Sequence, residues 1–195
     1  FTFDCNPGGS DQKYAANQQI CRVYARQNDV KIFDIQSGIG THLVIDEGIA
    51  RPAGTIVSTD SHANILGAIG AFGQGMGDKD IAHAWAHGKV WFKVPPSLKI
   101  VLKDTPSENA SPKDVVLKML QVFGANGLLG YSAEVYGDYA ESLSLDGRIT
   151  IASMATEMGG IIMLFPSTSF KADPDAAYEK TVEIEELVAS EVRKL

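Results

Sequence analysis

The chain has 195 residues, 45% hydrophobic and 21% charged, enough for one domain that buries roughly 70% of its unfolded surface or for two small lobes. That balance excludes a disordered or fibrous protein, and the sequence has no apolar run of about eighteen residues that could span a bilayer. Lys and Arg number 17 against 24 Asp and Glu, a net charge of -7, so there is no basic field for a phosphate backbone and neither nucleic acid nor membrane is expected as a partner.

Two cysteines, Cys5 and Cys21, are too few for a disulfide scaffold and lack the spacing of a metal knuckle, which fits a reducing, cytoplasmic setting. The first residue is Phe1, on a strand-like Phe1-Thr2-Phe3, and the chain reads as a piece of a longer protein.

In chain order, Tyr14, Ile20, Val23 and Tyr24 recur among polar residues and predict an amphipathic helix from Asp11 to Gln27, with Cys21 in its core face. Lys31 to Ile35 reads as a short strand. The β-branched run Gly54 to Thr59 reads as a buried strand ending at Asp60-Ser61-His62. From Asn64 to Met76 small apolar residues with five glycines between Gly67 and Gly77 predict a helix packed closely on backbone. A second helix covers Asp78 to His87.

Strands are expected at Val90 to Lys93 and Leu98 to Lys103, separated by Pro95-Pro96. Ser111-Pro112-Lys113-Asp114 starts a helix, with Ser111 as cap, Pro112 at the first position and Asp114 at the positive end, and Gly124 stops it. Strand Tyr131 to Tyr136, two short helices within Asp138 to Gly159 and strand Ile161 to Phe165 complete an alternating α/β pattern. After Pro166 the chain turns polar, and the Glu-rich tail from Glu179 reads as a docking segment or a solvated helix.

The strongest chemical cluster is Asp60-Ser61-His62, at the carboxyl end of a buried strand, where open α/β sheets place ligands. Asp and His can exchange protons or fix one another's tautomer, and Ser can position a substrate oxygen. The alternative for the same residues is a capping network at a strand end. His42, behind the flexible turn Gly38-Ile39-Gly40-Thr41, reads by itself as a structural histidine. His83 and His87 share a helix face as a metal pair would, but no Glu accompanies them in the zincin pattern, and Trp85 with its flanking alanines reads as a packed helix. Glu157, within Met154 to Gly160, is a lone carboxylate in an apolar setting, and if buried it needs a partner or a raised pKa. The glycine run contains no G-x-G-x-x-G for a dinucleotide.

Together, Gly38 to His42, Ser58-Thr59-Asp60-Ser61-His62-Ala63-Asn64, the glycine-rich Gly67 to Asp78 and Met154 to Gly160 resemble the aconitase superfamily in content, order and spacing. Lys89 to Pro95 and Ser111 to Val115 resemble most its branch of 3-isopropylmalate dehydratase and homoaconitase large subunits. The resemblance implies a three-layer α/β/α domain with a mostly parallel sheet over 1–166, followed by a linker and polar tail over 167–195. It implies a hydro-lyase that shifts a hydroxyl in a hydroxy-di- or tricarboxylic acid on a [4Fe-4S] cluster, with a separate small subunit bearing a swivelling domain.

By position, the resemblance assigns catalytic roles to Asp60, His62, His42, Glu157 and Asp4 and substrate binding to Ser61 and Asn64. Cys5 stands where the family carries a histidine after Asp4. The family's cluster-ligating cysteines lie downstream of every motif found here, so no metal ligand is expected in this chain, which alone is expected to be inactive. Two other readings remain open on the sequence: a metal-dependent hydrolase using Asp60, His62, His42 and Glu157, and a non-catalytic ligand-binding remnant of the same fold.

Overall fold

The computed structural model describes residues 1–4, 11–166 and 172–187. The chain forms two compact units, Phe1–Ile49 and Ala50–Leu195, where the sequence reading has one domain over 1–166.

In the first unit, helix α1 (Gln12–Gln27) is capped by Asp11, whose carboxylate accepts from the backbone N–H groups of Lys13 at 2.8 Å and Tyr14 at 3.3 Å. Gln18 and Ala25 are its buried residues, whereas the predicted core positions Tyr14, Ile20, Val23 and Tyr24 are exposed and Cys21 is half-buried. The expected strand at Lys31 to Ile35 shrinks to a single parallel bridge between Phe33 and Thr2. Arg22 clasps Asp34, with Nη2 to Oδ1 at 2.6 Å and Nε to Oδ2 at 3.0 Å. This bidentate bond holds the Asp34 carboxyl below its usual range and raises the guanidinium further. A short helix, α2 (Gly40–Asp46), ends the unit.

The second unit begins with strand β1 (Thr55–Ser58), which pairs in parallel with β2 (Phe72–Gly75) through the 3-10 helix Ala63–Ile69. The sequence reading has one helix from Asn64 to Met76. Gly70, at φ 72°, stops the helical turn in the left-handed region, and the remaining residues extend to pair with β1. Close approach explains the glycines: a Cβ at Gly67 would overlap the Met163 carbonyl oxygen, and one at Gly75 would stand 2.6 Å from the Asp60 carbonyl oxygen. Helix α3 (Asp78–His87) follows as expected, but it has no buried residue. Trp85 is 60% exposed, and the His83 and His87 rings lie 4.3 Å apart on the surface. Alanine favours helix without requiring burial, so this segment is helical but not packed as the sequence reading has it. Val90 to Lys93 forms no strand, and Trp91 is 85% exposed.

Strands β3 (Ser97–Leu102), β4 (Ser132–Tyr136), β5 (Ile162–Leu164) and β6 (Lys180–Ile184) make a wholly parallel sheet in the order β5-β4-β3-β6. Helix α4 (Pro112–Phe123) connects β3 to β4, and α5 (Asp138–Ser142), α6 (Leu145–Ser153) and the 3-10 turn Thr156–Met158 connect β4 to β5. The fold is therefore α/β with parallel sheets. The α4 start is as expected: Asp114 Oδ2 accepts from the Ser111 N–H at 2.8 Å and hydroxyl at 2.7 Å, which holds the carboxyl below its usual range.

Leu98, Ile100 and Leu102 alternate with exposed or half-buried neighbours, and they share one core with Val115, Met119, Ile151 and Met158 from the helices. The opposite face carries a polar cluster. There Glu134 accepts from the hydroxyls of Tyr136 at 2.5 Å and Tyr178 at 2.7 Å, and Lys99 Nζ lies over both rings. Burial, with the adjacent carboxylate, raises both phenol pKa values.

Residues 180–184 fall within the stretch read from sequence as linker and tail, yet they form β6, and Ile184 and Leu187 are each 2% exposed in the core. Charge conceals a two-residue alternation here: Val182 and Ile184 face inward, while Thr181 and Glu183 face out. No helix of the described residues is long and apolar enough to cross a membrane.

Candidate functional site

The chain leaves β1 at Ser58 and turns sharply. Ser58 Oγ accepts from the Asp60 N–H at 3.2 Å, and Asp60 Oδ1 accepts from the His62 N–H at 2.9 Å. This side-chain turn fixes the backbone of Asp60-Ser61-His62 before the 3-10 helix begins at Ala63. The Asp60 carboxylate is 3.9 Å from His62 Nδ1, so its bond is to the main chain and not to the ring.

The ring of His62 has a partner at each nitrogen. Nδ1 is 3.2 Å from Ser61 Oγ, and Nε2 is 3.3 Å from Glu157 Oε1, across 95 positions of sequence. A carboxylate only accepts, so Nε2 carries the hydrogen, and in the neutral ring Nδ1 accepts from the Ser61 hydroxyl. A proton added at Nδ1 turns the serine into the acceptor and leaves the Glu157 contact as an ion pair. The arrangement can therefore take up a proton without losing either contact, which is the chemistry asked of a general acid/base.

Glu157 lies in the 3-10 turn Thr156–Met158. Its side chain is 39% exposed, and that of His62 is 48% exposed. The buried acid considered in the sequence reading is thus an open carboxylate, because the turn directs Met158 and not Glu157 into the core. The partner that a functional reading calls for is present nonetheless.

Asn64 is 2% exposed, and its Nδ2 donates to Thr156 Oγ1 at 2.7 Å. The same hydroxyl lies 3.5 Å from the Ser61 carbonyl. Sequence reasoning missed Thr156; a lone hydroxyl in the apolar Met154-Ala155-Thr156-Glu157-Met158 was the available signal.

The structure thus brings Asp60, Ser61, His62, Asn64 and Glu157 together in the second unit. Asp4 and His42 belong to the first unit. There Asp4 Oδ2 accepts from the Gly40 N–H at 2.5 Å, at the start of the helix whose third residue is the exposed His42. Cys5 lies outside the described residues. A cavity of about 470 Å³ beside α3 is lined by Met76, Lys79, Asp80, His83, Val90 and Trp91 and includes none of the predicted site residues.

Comparison with known proteins agrees with these motifs. The model of the aconitase family (aconitate hydratase) matches residues 9–173. The chain is similar to 3-isopropylmalate dehydratase large subunit 1 of Thermotoga maritima, 32% identical over 203 residues, covering 95% of this chain and 48% of the relative. It is 36% identical over 192 residues to the 3-isopropylmalate dehydratase large subunit of Wolinella succinogenes, covering 88% and 46% of the two chains. With the homoaconitase large subunit of Thermus thermophilus it shares 34% identity over 183 residues, 88% of this chain and 44% of the relative. The chain spans about half the length of the curated relatives it matches. With a family match over residues 9–173, most of its length, the chain belongs to the aconitase family.

Proposed function

We propose that the intact protein is a hydro-lyase of the isopropylmalate dehydratase and homoaconitase type. It removes and re-adds water on a hydroxy-di- or tricarboxylic acid such as 3-isopropylmalate or homocitrate, and this chain supplies part of the acid/base site. The observation that carries the reading is the His62 to Glu157 contact at 3.3 Å, made by two motifs that are far apart in sequence.

Loss of water from a hydroxy acid needs a proton taken from carbon and a proton given to the leaving hydroxyl. In this reading His62 exchanges a proton at its ring, Glu157 holds the Nε2 hydrogen, Asp60 fixes the His62 main chain, and Ser61 positions a substrate oxygen. The family resemblance assigns catalytic roles to Asp4 and His42 as well. The partner is a small subunit that completes the pocket, and the setting is the cytoplasm.

The [4Fe-4S] cluster of this reading does not fit the donors of this chain. A cluster takes several thiolates converging on one place, whereas the chain has two cysteines, and Cys21 lies half-buried on α1. Among the described residues no group of three or more His, Cys, Asp or Glu could hold a metal ion. In this proposal the cluster ligands belong outside the chain.

The test is formation of the enoic acid from 3-isopropylmalate and from homocitrate by the intact protein assembled with its small subunit. Turnover on at least one is expected, and His62→Ala lowers it about 10²–10⁴-fold. No turnover on either, with the small subunit bound, sinks the reading.

A further inference from the structure

His62 and Glu157 meet at the surface. With side chains 48% and 39% exposed, each can rotate into water, and an exposed ion pair holds its own geometry weakly. Their separation is set by the two backbone stretches that carry them, residues 60–64 and 155–158, and Thr156 ties these together. Its hydroxyl accepts from Asn64 Nδ2 at 2.7 Å and points its own hydrogen toward the Ser61 carbonyl at 3.5 Å. One oxygen thus touches the residue before His62 and the residue two after it, from the position immediately before Glu157.

Asn64 is buried, and its Oδ1 has no hydrogen-bond partner among the described residues. Thr156 is therefore the hydrogen-bond partner the structure gives the Asn64 side chain. The bond to Thr156 thereby fixes the orientation of the buried Asn64 amide. Resting on the acid/base reading of the pair, we infer that Asn64 and Thr156 form a latch that sets the separation of His62 and Glu157. Thr156 is a positioning residue, and Asn64 acts through it.

The test compares Thr156→Val, which keeps the shape and removes the hydroxyl, with Thr156→Ser, which keeps the hydroxyl, in the intact protein with its small subunit. His62→Ala is run beside them. Misplacing a catalytic group by about an ångström can cost about 10²-fold in rate. Thr156→Val is accordingly expected to lower kcat about 10- to 100-fold with KM within about threefold, and Thr156→Ser to stay within about threefold of the parent. Backbone hydrogen exchange in peptides covering residues 58–66 and 155–160 should accelerate in the Val variant and not in the Ser variant.

Parent-like kcat in Thr156→Val, while His62→Ala is crippled, overturns the latch and leaves the site reading standing. Equal losses in Val and Ser variants, or a raised KM at unchanged kcat, also overturn it. An unaffected His62→Ala removes the acid/base reading, and the latch falls with it.

Discussion

Gly67 passes so close to Met163 that a Cβ on the glycine would overlap the methionine's carbonyl oxygen. This contact seats the 3-10 helix that follows His62 against β5, the strand that follows Glu157. The Gly67 carbonyl in turn accepts from the Phe165 N–H at 2.9 Å. The two arms of the candidate site are thereby braced by main chain, behind the polar contacts at the surface.

Gly67→Ala should therefore cost about 1–3 kcal/mol, the usual range for overpacking a filled core, and lower the denaturant midpoint accordingly. Gly88→Ala provides the contrast: beyond its chain neighbours no atom of the described residues lies within 4 Å of its added Cβ, and its strain comes from a φ of 66°. An unchanged midpoint for Gly67→Ala would show that the 3-10 helix does not lie against the Met163 carbonyl.

The last strand offers a second prediction. Ile184 and Leu187 are each 2% exposed within the main core, so Ile184→Ala or Leu187→Ala should destabilise by about 2–5 kcal/mol, as large-to-small core changes do. Urea unfolding checks it. A solvated tail would give a change within about 0.5 kcal/mol.

Stability should fall at both ends of the pH scale for identifiable reasons. Asp34, held by Arg22, and Asp114, held by Ser111, have folded pKa values below their ordinary range. Their contribution is present above the unfolded value of about 3.9 and is lost as pH falls through the lower folded values. Tyr136 and Tyr178 are raised by burial and by Glu134. Their contribution is present below about pH 10 and is lost as pH rises toward the folded values. Thermal melts across pH should show Asp34→Asn flattening the acid limb and Tyr136→Phe the alkaline limb. Limbs identical to the parent's would contradict these assignments.

Much of this was legible before any coordinates. The Ser111-Pro112-Lys113-Asp114 start, the glycine stop at Gly124 and the strands at Leu98 and Tyr131 follow from local chemistry, and the structure has them within a residue or so. The order of motifs also identified the family. Long-range pairing was less accessible. Phe72–Gly75 becomes a strand because β1 lies beside it, and Lys180–Ile184 becomes one because β3 presents an edge, neither of which helical period or charge could reveal. Asp60, Ser61 and His62 were visible as a contiguous motif. Thr156 was not, because its importance lies in a contact with Asn64 across 92 positions.

The central claim is that His62 and Glu157 act as one unit. The most direct test is a double-mutant cycle on turnover by the intact protein, using His62→Ala, Glu157→Gln and the pair together. Residues that act jointly show strongly non-additive losses, so the double variant should lose little more than the worse of the two single variants. Losses that multiply, with the double variant falling by the product of the two single effects, would contradict the account.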